Sequence, residues 1–230
     1  MPARLKPTAP VAPAAILVGD PGRALLLAQE LLEQPKMSNH ARGLWGYGGR
    51  TAEGAELTIQ STGMGGPSAA IVVADLAELG VRRAVRIGTC VAFGPAARGG
   101  ELLAVEAALA VGGSAASFGV APGHTVAPDP QLEGRLTASH GGTARAVTVA
   151  SLDTMPAHPS AAAGAAAADM QTLAVLASAR RLGIAAAALL VTTQTESGEA
   201  PADEELERAA AQAGRVAAAA LSNPLVEGES

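Results

Sequence analysis

Three times in its first ninety residues the chain follows a short strand-like segment with a glycine-rich one: residues 14–18 before Gly19-Asp20-Pro21-Gly22-Arg23, residues 57–61 before Thr62-Gly63-Met64-Gly65-Gly66-Pro67-Ser68, and residues 84–87 before Gly88-Thr89-Cys90. The first run is continuous and apolar, which predicts a strand covered on both faces, the condition of a parallel sheet, and the other two also read as strands. Helical patterns follow the first two turns, at residues 24–32 and 69–79, and Pro21 favours a helix start because its missing N–H would be unpaired there anyway. Strand, tight turn and helix in repetition predict an α/β fold, in which ligands bind where strands hand over to loops.

Further strands are expected at residues 102–111, 146–150 and 184–191. The Gly, Pro and His-rich stretch 112–142 reads as loops with one short helix near 131–139, and the alanine run 161–168 fits either strand or helix. Asp169 is a candidate N-cap for a helix over 170–182, ended by Gly183. Asp203, Glu204 and Glu205 suit the first turn of a last helix reaching Leu221, where acidic groups meet the positive end of the helix dipole. The expected organisation is one domain over 1–230, with an N-terminal arm at 1–13 and a frayed tail at 224–230. Pro7, Pro10 and Pro13 interrupt the apolar stretch after Arg4 and Lys6, so it reads as a mature arm rather than a secretory signal.

With 55 alanines in 230 residues, the 49% hydrophobic content comes from small side chains, and helices can pack closely. Aromatic residues make up 2%, too few for a platform of base-stacking rings, and a net charge of -5 disfavours a polyanionic partner. No nucleic acid is expected, and no membrane, because the apolar runs fall short of the roughly 18 residues a span requires. Cys90 is the lone cysteine, which excludes an intrachain disulfide, fits a cytoplasmic protein, and with scattered histidines leaves no metal site expected.

Each glycine-rich turn taken alone is an ordinary strand-to-helix connection. Together they bring Arg23 and Arg86 beside glycines that let an anion approach backbone N–H groups, with Thr89 three residues beyond Arg86. A guanidinium fork with a hydroxyl nearby suits phosphate. Neither a Walker A sequence nor a Gly-x-Gly-x-x-Gly fingerprint is present, so nucleoside triphosphates and dinucleotides are unsupported.

Gly19-Asp20-Pro21-Gly22-Arg23, Arg42-Gly43-Leu44-Trp45-Gly46-Tyr47, Gly63 to Ser68, Arg86-Ile87-Gly88-Thr89-Cys90 and Asp169-Met170-Gln171 stand in the order in which similar motifs stand in the hexameric nucleoside phosphorylases. The chain resembles that family, which includes bacterial purine nucleoside phosphorylase and uridine phosphorylase, from about Ala14 to Leu221. The resemblance implies a three-layer α/β/α domain with a mainly parallel, partly mixed central sheet. It implies a phosphate clamp of Gly19, Arg23, Arg86 and Thr89, with Arg42 entering a neighbouring subunit's site in a dimer-based homo-oligomer, usually a hexamer. Met64, Thr89, Met170 and Gln171 would contact ribose, and Met155 and Gln194 the base. Arg86 and Gln194 would carry the catalytic roles, with inorganic phosphate as co-substrate and no cofactor.

The departures from the family pattern fall on the nucleoside side. Gln171 stands where the family has a Glu that bonds ribose hydroxyls, and Gln194 where purine phosphorylases have an acid that protonates the base; a primary amide cannot act as that acid near neutral pH. The Gln and Arg that hold uracil in uridine phosphorylases are replaced by Pro159 and Ala161, Met155 stands where an aromatic base-pocket residue is usual, and no N-terminal His precedes Gly19. Met64 and Met155 also suit core filling. The leading expectation is a ribonucleoside phosphorylase leaning to uridine, with purine nucleosides as the alternative. A nucleosidase that uses water would not need the three arginines, and a non-catalytic nucleoside or phosphate binder would account for both glutamines.

Overall fold

The computed structural model describes residues 4–94, 98–155 and 164–222. Its centre is β1 (Ala14–Val18), buried at every position and paired in parallel with β4 (Glu56–Ser61) on one side and β5 (Arg83–Ala92) on the other. β10 (Ala185–Thr195) runs parallel along β5. β6 (Leu102–Ala110) is antiparallel to β10, β8 (Arg145–Ser151) is parallel to β6, and β9 (Ala167–Asp169) lies parallel to β8 and antiparallel to β5. Strands β5, β10, β6, β8 and β9 therefore close into a ring, and the two-residue β7 (Thr125–Val126) attaches to β6. On the far side of β4, the antiparallel β3 (Gly46–Arg50) and β2 (Glu33–Asn39) extend the sheet outward.

The ring and the open sheet separate along β5. β5 pairs with β1 as far as Ile87 and with β9 only from Val91. Over Gly88, Thr89 and Cys90 that side of β5 has no strand neighbour, and at the same level the chain leaves β1 at Gly19. The fork is the parallel-sheet crevice in which ligands characteristically bind.

Two helical layers cover the sheet. α2 (Gly66–Glu78) and α4 (Thr172–Arg181) pack together over a core containing Leu17, Val72, Leu76, Leu173 and Leu190. α1 (Pro21–Leu31), α3 (Pro130–His140) and α5 (Asp203–Leu221) cover the other face over Ile16, Leu27, Ile59, Leu132 and Leu189. Each fully buried side chain of this size contributes about 1.5–3 kcal/mol of transfer free energy. The small residues of α5 allow close contact: a Cβ on Gly214 would lie 2.7 Å from Leu27 Cδ2 and 3.2 Å from Leu31 Cδ1. α1 begins where proline and an aspartate cap require it, with the Asp20 side chain accepting the Arg23 backbone N–H at 2.8 Å.

The N-terminal arm is held in place. Leu5 is 2% exposed, the N–H groups of Arg4 and Leu5 both donate to Asp75 Oδ2 on α2 at 2.7 Å, and the Lys6 N–H donates to Asn39 Oδ1 at 2.8 Å. Among the described residues no helix is long and apolar enough to cross a membrane.

Four details differ from the sequence reading. The third glycine-rich segment is not a turn: β5 continues through Gly88 to Ala92 because β10 pairs with it over that length. α2 starts at Gly66, inside the expected turn, and α4 starts at Thr172 rather than Met170, although the Asp169 carboxylate still accepts the Thr172 N–H. β2 and β3 were not foreseen. Of the ambiguous alanine run, 167–168 lies in β9, while 161–163 and the expected tail at 224–230 lie outside the described residues.

Candidate functional site

Arg86 is the centre of the fork. It is 4% exposed, and its guanidinium folds back over Gly88, where an added Cβ would lie 2.7 Å from Cζ. Glycine at 88 is required for this close approach. The Arg86 Nη2 donates to Asp169 Oδ2 at 2.9 Å, Nη1 to Gln171 Oε1 at 2.7 Å and Nε to Thr172 Oγ1 at 3.2 Å. Asp169 is buried with it and accepts four more groups: Ser151 Oγ at 2.6 Å, Thr172 Oγ1 at 2.6 Å, and the N–H groups of Thr172 and Gln171 at 2.9 and 3.2 Å. The middle of β5, the ends of β8 and β9 and the start of α4 are thus tied into one buried polar network.

Gln171, 4% exposed, connects this network to the first two glycine-rich turns. Its Oε1 faces Arg86 Nη1, with the Thr62 hydroxyl at 3.2 Å, and its Nε2 donates to the carbonyls of Gly63 at 2.5 Å and Gly65 at 3.1 Å. The opposite amide orientation would set Nε2 against an arginine N–H, so the network fixes it. Gly19 packs on the same group, its Cβ direction 3.5 Å from the Gly63 carbonyl and 3.7 Å from Gln171 Oε1. Gly63 and Gly65 have φ of +72° and +80°, a backbone region that favours glycine, and between them Met64 is held 89% exposed.

Arg23, in the first turn of α1, differs from Arg86. It is half-buried, and among the described residues its guanidinium makes no hydrogen bond. Burial lowers its pKa from the ordinary arginine value; Asp20 opposes that shift and the nearby charge of Arg86 adds to it. Two cations thus stand close at the fork, only one of them ion-paired. Thr89 is half-buried farther along β5, and strand alternation puts it on the face opposite Arg86 rather than beside it as a turn would have done.

The remaining sequence-derived residues are more dispersed. Arg42 is exposed in the 3₁₀ turn Ala41–Gly43 with φ +61°, and the Asn39 amide braces that turn by donating to the carbonyls of Ala41 and Leu44. Met170 is half-buried and lines, with Phe118, Ser151 and Asp153, a crevice of about 10 Å³, room for no more than one water. Met155 packs beside Val91, Phe93 and Ala168, and Gln194 is exposed on β10 just past a bulge. None of these four shares a hydrogen bond with the Arg86 network. Pro159 and Ala161 lie outside the described residues.

Sequence reasoning missed two pairs here. Asp169 read as a helix cap, not as the counter-ion of an arginine 83 residues away, and Ser151 was not read as a donor to that carboxylate. Asp153 accepts both the N–H and the hydroxyl of Ser114, which holds its pKa below the usual carboxylate value. Cys90 is buried and its thiol is pushed up to about 12 by desolvation, so it stays protonated and inert.

A family profile described as the phosphorylase superfamily matches residues 13–225. The chain belongs to this superfamily. It is 45% identical over 76 residues to the DeoD-type purine nucleoside phosphorylase of Oceanobacillus iheyensis, a match covering 33% of this chain and 32% of that protein. With the enzyme of the same name from Caldanaerobacter subterraneus subsp. tengcongensis it is 42% identical over 86 residues, 37% of each. The matched stretch thus spans about a third of the length of these curated relatives. The fold is shared over nearly the whole chain with the purine nucleoside phosphorylase of Toxoplasma gondii solved with immucillin-H, at a TM-score of 0.83, 21% identity and coverage of 92% and 91%.

Proposed function

We propose that the chain is a phosphate-dependent nucleoside phosphorylase that acts on purine nucleosides, releasing the free base and ribose 1-phosphate. The observation that carries this reading is the half-buried Arg23 guanidinium, without a hydrogen-bond partner among the described residues, beside Arg86 and the backbone of Gly19. Withdrawing a cation from water with no partner is unfavourable unless an anion joins it, and a phosphate dianion fits a pair of forks beside a helix start. The lean to uridine drawn from Gln194 gains nothing from the relatives, which are named for purine nucleosides.

The chemistry needs little from the protein beyond placement. A phosphate oxygen forms a bond to C1′ of the sugar as the bond from C1′ to the base nitrogen breaks, and the departing base takes the electron pair and then a proton. Positive charge grows on the sugar in between, and a fixed dianion both stabilises it and attacks it. In this reading Gly19, Arg23 and Arg86 hold phosphate while Thr89, on the other face of β5, stands apart from them, Met64 and Met170 flank the sugar, and Met155 and Gln194 face the base. Arg42 completes a neighbouring copy's site, the assembly is a homo-oligomer built from dimers, and no cofactor is used.

Incubating the purified chain with inosine, adenosine or uridine, with and without phosphate, and following free base tests the reading. Phosphate-dependent release from a purine nucleoside, lost in Arg23→Ala, is expected. Release without phosphate, or none from any nucleoside, would overturn it. The second outcome, combined with measurable phosphate binding, would favour a non-catalytic binder, a reading to which the narrow crevice beside Met170 also lends weight.

A further inference from the structure

Gln171 departs from the family pattern, and its surroundings show what the departure does. A side-chain amide offers two hydrogens and one oxygen. Here both hydrogens go to the carbonyls of Gly63 and Gly65, and the oxygen takes an Arg86 N–H with the Thr62 hydroxyl close by. The side chain is 4% exposed, both amide hydrogens are taken, and the oxygen faces Arg86, so no donor is left over for a small molecule.

We infer that Gln171 is a positioning residue: its amide clamps the Gly63–Gly65 turn to Arg86 and contacts no substrate. This rests on the phosphorylase reading only for the kinetic part of its test. A carboxylate in its place would be an acceptor facing two carbonyl oxygens, so the turn would be released. It would also present a second anion to Arg86, already paired with Asp169 at 2.9 Å, and so weaken the field available to phosphate. The consequence runs against simple analogy. Replacing Gln171 with the glutamate typical of the family should impair this protein.

Because Met64 sits between the two clamped carbonyls, the clamp also sets where that exposed side chain stands. Gly19 packs over the same amide, so the ends of β1 and β4, the middle of β5 and the start of α4 share one internal reference point. A residue that merely bound sugar would leave those backbone segments independent of it.

The experiment compares wild type, Gln171→Glu and Gln171→Met, each checked for native circular dichroism. Hydrogen exchange at the amides of residues 63–66 should accelerate tenfold or more in both variants. In Gln171→Glu the KM for phosphate should rise at least tenfold with the nucleoside KM changed less than threefold, whereas Gln171→Met, which adds no charge, should shift the phosphate KM less. Unchanged exchange would overturn the inference. So would a Gln171→Glu variant with higher kcat or lower nucleoside KM at unaltered phosphate KM, the signature of a direct sugar ligand. If the wild-type chain turns over no nucleoside, the phosphorylase reading fails by itself. Exchange and calorimetric binding of inorganic phosphate then decide the clamp: acceleration with weakened binding supports it, and no change refutes it. Should Gln171→Glu fail to fold, Gln171→Met carries the exchange test alone.

Discussion

Asp169→Asn should be among the most damaging conservative substitutions in the chain, and more damaging than removing its arginine partner. The carboxylate accepts five donors from Arg86, Ser151, Gln171 and Thr172 and is buried with its counter-ion, whose side chain is 4% exposed. Asparagine keeps one oxygen and turns an NH₂ toward groups that are themselves donors, leaving a buried guanidinium without its anion and beside Arg23. Breaking a buried ion pair from one side costs about 3–5 kcal/mol, out of a total near 5–15 kcal/mol for a domain. Arg86→Met leaves a carboxylate that still has four donors and relieves the repulsion with Arg23, so the loss should approach that of one charge-assisted hydrogen bond, about 1.5–3 kcal/mol. Urea unfolding at constant slope measures both. With a slope of about 3 kcal/mol per molar urea, Asp169→Asn should lower the midpoint by about 1 M or more. The double variant should be no worse than Asp169→Asn alone. An Arg86→Met variant that loses as much as Asp169→Asn, or a double variant with fully additive losses, would refute this account of the network.

Gly88→Ala should destabilise by about 1–3 kcal/mol and weaken phosphate binding, because the new methyl would lie 2.7 Å from both Arg86 Cζ and Leu190 Cδ2; thermal melts with and without phosphate check both effects. Gly63→Ala, at φ +72° and with Ser68 Oγ 2.8 Å from the added Cβ, should cost about 1–2 kcal/mol of strain, read in chemical denaturation. Ser114→Ala removes the hydroxyl that helps depress the Asp153 pKa. A depressed carboxylate pKa stabilises the fold above the unfolded value, about 3.9, and that stabilisation is lost as pH falls through the lower folded value. The melting temperatures of Ser114→Ala and wild type should therefore differ at neutral pH and converge in acid, and a pH-independent gap would count against the link.

The first strand and the last helix, β1 and α5, were readable because each rule acts locally: an unbroken apolar run for one, an acidic first turn and an alanine face for the other. β2 and β3 were not, since β2 is polar and exposed over Glu33 to Met37 and β3 has glycine at three of its five positions; only pairing beside β4 makes them strands. At the site, the motifs located Gly19, Arg23 and Arg86 at one crevice. They gave no sign that Arg86 is neutralised from within or that both amide hydrogens of Gln171 are already used. Both facts depend on groups brought together from 83 to 109 residues apart, and sequence spacing carries no information about hydrogen-bond capacity already in use.

The closure of five strands into a ring has a consequence for how this protein behaves when crowded with copies of itself. A closed ring leaves no exposed ladder of N–H and C=O groups, so among the described residues the long open border of the sheet is β2. That border is ill suited to recruit another strand: Gln34 has φ +49°, Pro35 has no N–H to offer, Lys36 adds a charge, and the pairing with β3 is irregular on both sides of Lys36 and Met37. The same irregularity that hid β2 from sequence reading protects the folded chain against edge-to-edge polymerisation. Straightening it, with Pro35→Val and Lys36→Thr, would be expected to convert a soluble sheet border into a template for aggregation.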